Sequence, residues 1–260
     1  MLSYQHGYHA GNLADVHKHS VLAVLLDYMG RKDKPLSYIE THAGRGLYDL
    51  ASPEALKTGE AAAGISAALP RFAADHPYRR VVERVRARHG ATAYPGSPRI
   101  AAELARPGDR MHLAELHPRE FAALSAEMRP RGADCRQEEG LAMARALCPP
   151  EPRRGLLVID PSYEVKADYA TLPPAIAALH RKWNVGVILL WYPLLASGAE
   201  RAMVSALDAL SLPGAARHEL GFPPARAGHG MIGSGLFIVN PPYPFRAEAS
   251  ALEARLAGIS

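Results

Sequence analysis

The chain has 260 residues, 48% hydrophobic and 22% charged, a balance that excludes a disordered or fibrous protein and leaves room for one large α/β domain but hardly for two. Thirty Lys and Arg against 26 Asp and Glu give a formal charge of +4 and a pI near 9.1, which favours a polyanionic partner without demanding one. No stretch reaches the length of a transmembrane helix, Met1 to His6 carries no export signal, and Cys135 and Cys148 lack any paired metal-ligand spacing, so a reduced, cytoplasmic protein with no membrane partner is expected.

In chain order, Leu22, Leu25, Leu26 and Met29 recur at helical spacing and predict an amphipathic helix over 14–29, closed by the polar turn Gly30 to Pro35. Leu36 to Glu40 reads as a buried strand that runs into the glycine turn Thr41-His42-Ala43-Gly44-Arg45-Gly46. From about 52 to 94 the chain is rich in Ala and Arg and broken at Pro53, Pro70, Pro77 and the Tyr94-Pro95-Gly96-Ser97-Pro98 loop; this predicts a small helical insertion within a single domain spanning 1–260. Strand and helix signals then alternate: 110–115 extended, 118–128 helical, 134–137 extended, 139–147 helical. That is the rhythm of βαβ units. The apolar run Gly155 to Ile159, closed by Asp160, predicts a central parallel strand, 185–191 predicts another, and 216–221 with 235–240 predict an antiparallel edge.

Three strand ends carry chemistry. Gly44 and Gly46, after the first strand, would let the backbone approach a nucleoside-bearing ligand. Glu115, at the tip of the next strand, can accept from both hydroxyls of a ribose; it lies further from the glycines than the usual gap of about 20 residues, and the insertion accounts for the difference. Asp160-Pro161-Ser162-Tyr163 suits methylation of an exocyclic adenine amine, whose lone pair is delocalised into the ring. Hydrogen bonds from that amine to the Asp160 carboxylate and the Pro161 carbonyl would draw the lone pair out of conjugation, Tyr163 would stack on the base, and Asp160 would offset the charge that develops on nitrogen and then take a proton. No metal is required.

With these motifs in place, the chain resembles the bacterial 23S ribosomal RNA adenine-N6-methyltransferases along nearly its whole length. The resemblance runs through Met1-Leu2-Ser3-Tyr4, His9-Ala10-Gly11-Asn12, Asp15 to His19, Thr41 to Gly44, Tyr94 to Pro98, Glu115 to Pro118, Arg153 to Leu156, Asp160-Pro161, Trp191-Tyr192-Pro193 and Asn240-Pro241-Pro242. It implies a Rossmann-like methyltransferase of the α/β class, with a mostly parallel twisted sheet, helices on both faces and a helical insertion. It also implies S-adenosyl-L-methionine as cofactor and 23S ribosomal RNA, short of the fully assembled subunit, as partner. Position by position it implies cofactor contacts at His19, His42, Ser97, Glu115, Glu139, Gly140 and Asp160, with Asp160 as catalytic acceptor. Lys18 and Tyr4 would belong to an N-terminal segment folding over cofactor and substrate, with Tyr4 touching RNA. Two positions depart from the family: Ser162 stands where a second proline is usual, loosening the turn that aims the Pro161 carbonyl, and Glu139 stands where an aspartate is usual.

Other readings compete with parts of this one. His17 and His19 suggest a metal, but residues two apart on a helix point in different directions. Arg80, Arg84 and Arg88 share a helical face that could meet RNA, together with Lys18 and the basic residues of 31–34. The same chemistry on DNA is an alternative, disfavoured because the insertion is short for a DNA-recognition domain; a non-catalytic nucleotide-binding or RNA-binding module is another. A monomer is expected.

Overall fold

The computed structural model describes residues 5–224, 228 and 230–259; Tyr4 lies outside them. The predicted first helix is α1, Leu13–Gly30, capped by Asn12, whose side chain accepts from the Asp15 amide. The expectation of an amphipathic helix was wrong. Nearly every side of α1 is buried, and its polar residues Asp15, His17, Lys18 and His19 lie inside with its leucines. A helix enclosed all round belongs to the interior, and here its polar residues find polar partners there.

The sheet strands are β1 (Ser37–Glu40), β4 (Arg110–Ala114), β5 (Asp134–Arg136), β6 (Gly155–Ile159), β7 (Val187–Leu195), β8 (Ala216–Gly221) and β9 (Met231–Val239). They form one seven-stranded sheet in the order β5-β4-β1-β6-β7-β9-β8. The first five run parallel, and β9 runs antiparallel to both β7 and β8, the edge expected from the sequence. This is the Rossmann-like methyltransferase arrangement. The order reverses between β1 and β6, and the crevice at that switch point is where open α/β sheets bind ligands.

Alternation along the strands builds two cores. Leu156 and Val158 of β6 pack with Tyr38 and Leu189 toward α1, α3 (Pro77–His89), α4 (Ser97–Leu104), α5 (Pro118–Met128) and α9 (Phe245–Leu256). Leu157 and Ile159 pack with Ile39, Ile188 and Leu190 toward α6 (Gly140–Leu147), α7 (Asp168–Lys182) and α8 (Arg201–Ala209).

Between β1 and β4 the chain forms α2 (Pro53–Thr58), a π turn at Ala62–Ser66 and a 3-10 turn at Leu69–Arg71 before α3. Two short antiparallel strands bracket this stretch, β2 (Leu47–Asp49) and β3 (Ala93–Pro95). Neither strand was anticipated, nor were helices α4, α7, α8 and α9. No helix among the described residues is long and apolar enough to cross a membrane.

Candidate active site

A cleft of about 560 Å³ opens at the carboxyl ends of β1, β4 and β6, a size suited to a nucleoside-bearing ligand. Its walls include Lys18, His19, His42, Gly44, Ser97, Glu115, Glu139, Gly140, Asp160, Pro161 and Tyr163, all predicted above from residues separated by as much as 145 positions (163 − 18). Tyr4 is the one predicted site residue that the structure does not describe.

The glycine turn and Glu115 are physically joined. Gly44 adopts φ +61°, where a Cβ would come within 2.4 Å of the Tyr48 hydroxyl, and its amide donates to Glu115 Oε2 at 2.9 Å. The His117 amide donates to Oε1 at 2.8 Å. Two backbone amides therefore aim a half-buried carboxylate whose remaining lone pairs can meet a diol, while burial raises its pKa. Burial also lowers the pKa of His42, whose Nδ1 pairs with the Thr41 hydroxyl at 2.8 Å.

Asp160, at the end of β6, has a side chain 14% exposed, and the Lys18 ammonium binds its Oδ2. Lys18 also lies 3.3 Å from Asp15 Oδ1. Burial alone would lower the Lys18 pKa, but Asp160 and Asp15 hold it above the ordinary value, so the ammonium stays charged. Behind them Glu40 is fully buried and takes hydrogen bonds from Tyr38 at 2.7 Å and from Ser97. Burial pushes its carboxyl up to about 8.

Three predicted residues behave differently from expectation in detail. Tyr163 sits at φ +57°, donates to the Trp191 carbonyl at 2.7 Å and stacks on Tyr169 with ring centroids 4.8 Å apart, so one face of the expected base platform is already covered. Glu139 caps α6, accepting from the Leu141 and Ala142 amides at 2.8 and 2.7 Å. Any contact from Glu139 to a ligand amine must share an oxygen already in use. His19 bonds through Nδ1 to the Tyr94 hydroxyl at 2.8 Å, and burial lowers its pKa to about 3, so it faces the cleft uncharged.

Comparison with known proteins adds the identity of the group. The family model described as "Ribosomal RNA large subunit methyltransferase D, RlmJ" matches residues 33–258. The chain belongs to that family. It is 38% identical over 249 residues to the ribosomal RNA large subunit methyltransferase J of Escherichia coli, covering 94% of this chain and 88% of that protein. To its namesake in Haemophilus influenzae it is 35% identical over 253 residues, covering 95% and 90%. A crystal structure of a Legionella pneumophila protein superposes with a TM-score of 0.86 at 36% identity, over 95% of this chain and 92% of that one. A SAM-dependent methyltransferase from Agrobacterium tumefaciens shares the fold at TM-score 0.50 and 11% identity, over 87% and 62%.

Within this family member, sequence reasoning missed several walls of the cleft. Trp191 and Tyr169 line it, as do Leu116 and Val165, which are 46% and 54% exposed at its edge. Trp191-Tyr192-Pro193 was noted as a motif, but nothing local assigned it a place. Arg80, Arg84 and Arg88, considered for RNA contact, are paired with acids of the protein itself: Arg80 with Asp27 at 2.7 Å, and Arg84 and Arg88 with Glu103 at 3.4 and 3.0 Å.

Proposed function

We propose that the cleft transfers a methyl group from S-adenosylmethionine to the exocyclic N6 of an adenine in 23S ribosomal RNA, in the bacterial cytoplasm. The observation that carries this reading is the position of Asp160-Pro161-Ser162-Tyr163. It leaves the central strand β6 at the switch point, opposite the Gly44 turn, with the Asp160 carboxylate in the cleft wall. The lining fits the cofactor: the Glu115 carboxylate, aimed by two amides, can accept from a ribose diol, and the small residues Gly44 and Ser97, whose own donors are held by Glu115 and Glu40, leave room near the strand ends.

Bound S-adenosylmethionine would supply an electrophilic methyl group on a sulfonium. Asp160 would accept a hydrogen bond from the target amine and, as the nitrogen gains its methyl, receive the proton the nitrogen loses. Lys18 supplies the counter-charge that lets an enclosed carboxylate remain an acceptor. Tyr163, locked to Trp191 and Tyr169, would hold the turn that presents Asp160 and the Pro161 carbonyl.

Purified protein with labelled S-adenosylmethionine and protein-free 23S RNA tests this, beside 16S RNA and double-stranded DNA. Label is expected in the 23S RNA alone, as N6-methyladenosine. Label in DNA but not in 23S RNA, or on another nucleoside, would overturn the reading.

A further inference from the structure

On the side of the sheet covered by α1, a line of hydrogen bonds joins the cleft to the surface. Trp191 Nε1 donates to Ser234 Oγ at 2.9 Å, Ser234 Oγ lies 2.9 Å from His17 Nδ1, His17 Nε2 lies 2.9 Å from His218 Nδ1, and His218 Nε2 lies 3.3 Å from Glu253 Oε1. Five elements contribute: β7, β9, α1, β8 and α9. His17 and Ser234 are completely buried.

The register explains how they meet. Trp191 of β7 and His218 of β8 both pair with Leu236 of β9, and Ser234, two residues along, shares the face of Leu236. That face lies under α1, which places His17 on the line.

Chemistry orients every link. An ionised Glu253 only accepts, so an uncharged His218 carries its proton on Nε2 and accepts at Nδ1. His17 must then donate through Nε2 and accept at Nδ1 from the Ser234 hydroxyl. The serine oxygen is left to accept from the indole, which can only donate. Burial lowers the His17 pKa to about 3, consistent with a neutral ring in this role. The inner end matters because Trp191 is a junction of the cleft: the Lys18 ammonium lies 5.7 Å from its ring centroid, and its carbonyl receives the Tyr163 hydroxyl.

We propose that Ser234, His17 and His218 are positioning residues that fix the indole of Trp191 as a wall of the acceptor side of the cleft, and so set the rate of methyl transfer more than cofactor affinity. The proposal rests on the methyltransferase reading above. Its chemistry is orientation, since tryptophan cannot pass a proton onward.

His218→Leu breaks the line, whereas His218→Asn keeps an acceptor where Nδ1 stands. With 23S RNA as substrate, His218→Leu and Ser234→Ala are expected to lower kcat roughly tenfold with the KM for S-adenosylmethionine within about twofold. His218→Asn is expected to restore most of the rate. Tryptophan emission should shift in His218→Leu and not in His218→Asn. Trp191→Phe keeps an aromatic ring but loses the indole donor together with part of the ring area. The part of its loss that comes from the donor should already be contained in Ser234→Ala, so the losses in the double variant should sum to less than the two single losses. This cycle serves equally if His218→Leu does not fold. Additive losses, or equal effects of Leu and Asn at 218, would overturn the proposal. A wild-type protein inactive on 23S RNA would instead fail the substrate reading, and the emission comparison would still decide the positioning chain.

Discussion

At the residue scale the site depends on one enclosed ion pair. Asp160→Asn keeps the shape of the turn but removes the charge, so kcat should fall by roughly 10²–10⁴ while calorimetry still detects cofactor binding. Retained full activity would take Asp160 out of the catalytic role. Lys18→Met would leave Asp15 and Asp160 without their shared ammonium. Breaking a buried pair from one side costs about 3 kcal/mol or more, so urea unfolding should show a clear loss of stability together with a loss of rate. Among the described residues the Ser162 side chain makes one long hydrogen bond, accepting at Oγ from Glu164 N at 3.5 Å. Ser162→Pro should therefore leave the methyl-transfer rate unchanged or raise it, by stiffening the turn, and a collapse of rate would contradict that.

At the element scale the cleft is held by backbone approaching backbone. Gly140 opens α6 against the end of β1, and a Cβ there would lie 1.9 Å from the Thr41 carbonyl oxygen. Gly140→Ala should thus reduce soluble, folded protein sharply, as read by thermal unfolding; a wild-type melting temperature would mean that α6 can slide away from β1. These contacts also show why some elements were legible and others not. β6 is a continuous apolar run, β1 and β4 are short extended stretches, and each leads to an acid, Glu40, Glu115 or Asp160, a local pattern, and so Asp160, Gly44 and Glu115 could be read directly. Helix α7 contains Pro173 and Pro174, which locally signal a break, yet Leu172, Ile176 and Leu179 bury its face and override that signal. In α4, Pro98 looked like part of a loop; it occupies the first turn, where a missing amide costs nothing. Lys18, His19 and Ser97 were reachable only through resemblance to a family, since no local periodicity marks a buried lysine. Trp191 and Ser234 come together only through strand register, and Tyr169 joins them only when α7 packs against the sheet.

At the scale of the whole molecule, buried ionisable groups tie stability to pH in two directions. His17 and His19 titrate near 3 when folded against an ordinary 6.5. They contribute stability fully above about 6.5, and it is lost as pH falls toward 3. Glu40 titrates near 8 when folded against an ordinary 4.5, so its contribution is lost as pH rises toward 8. Counting these three groups, the unfolded chain binds one more proton than the folded one between about 4.5 and 6.5 and one fewer between about 6.5 and 8, a slope of about 1.4 kcal/mol per pH unit of opposite sign. Urea midpoints should peak between about pH 6 and 7, and Glu40→Gln should flatten the fall above pH 7; midpoints still rising at pH 8.5 would contradict this.

Sheet, cleft and family together point to one base on an RNA, and mass spectrometry of 23S RNA from cells with and without the gene measures that base directly. One N6-methyladenosine is expected to disappear with the gene and to return with the wild-type chain but not with Asp160→Asn. An unchanged set of adenine modifications, or a lost methyl group on a different base or atom, would contradict it.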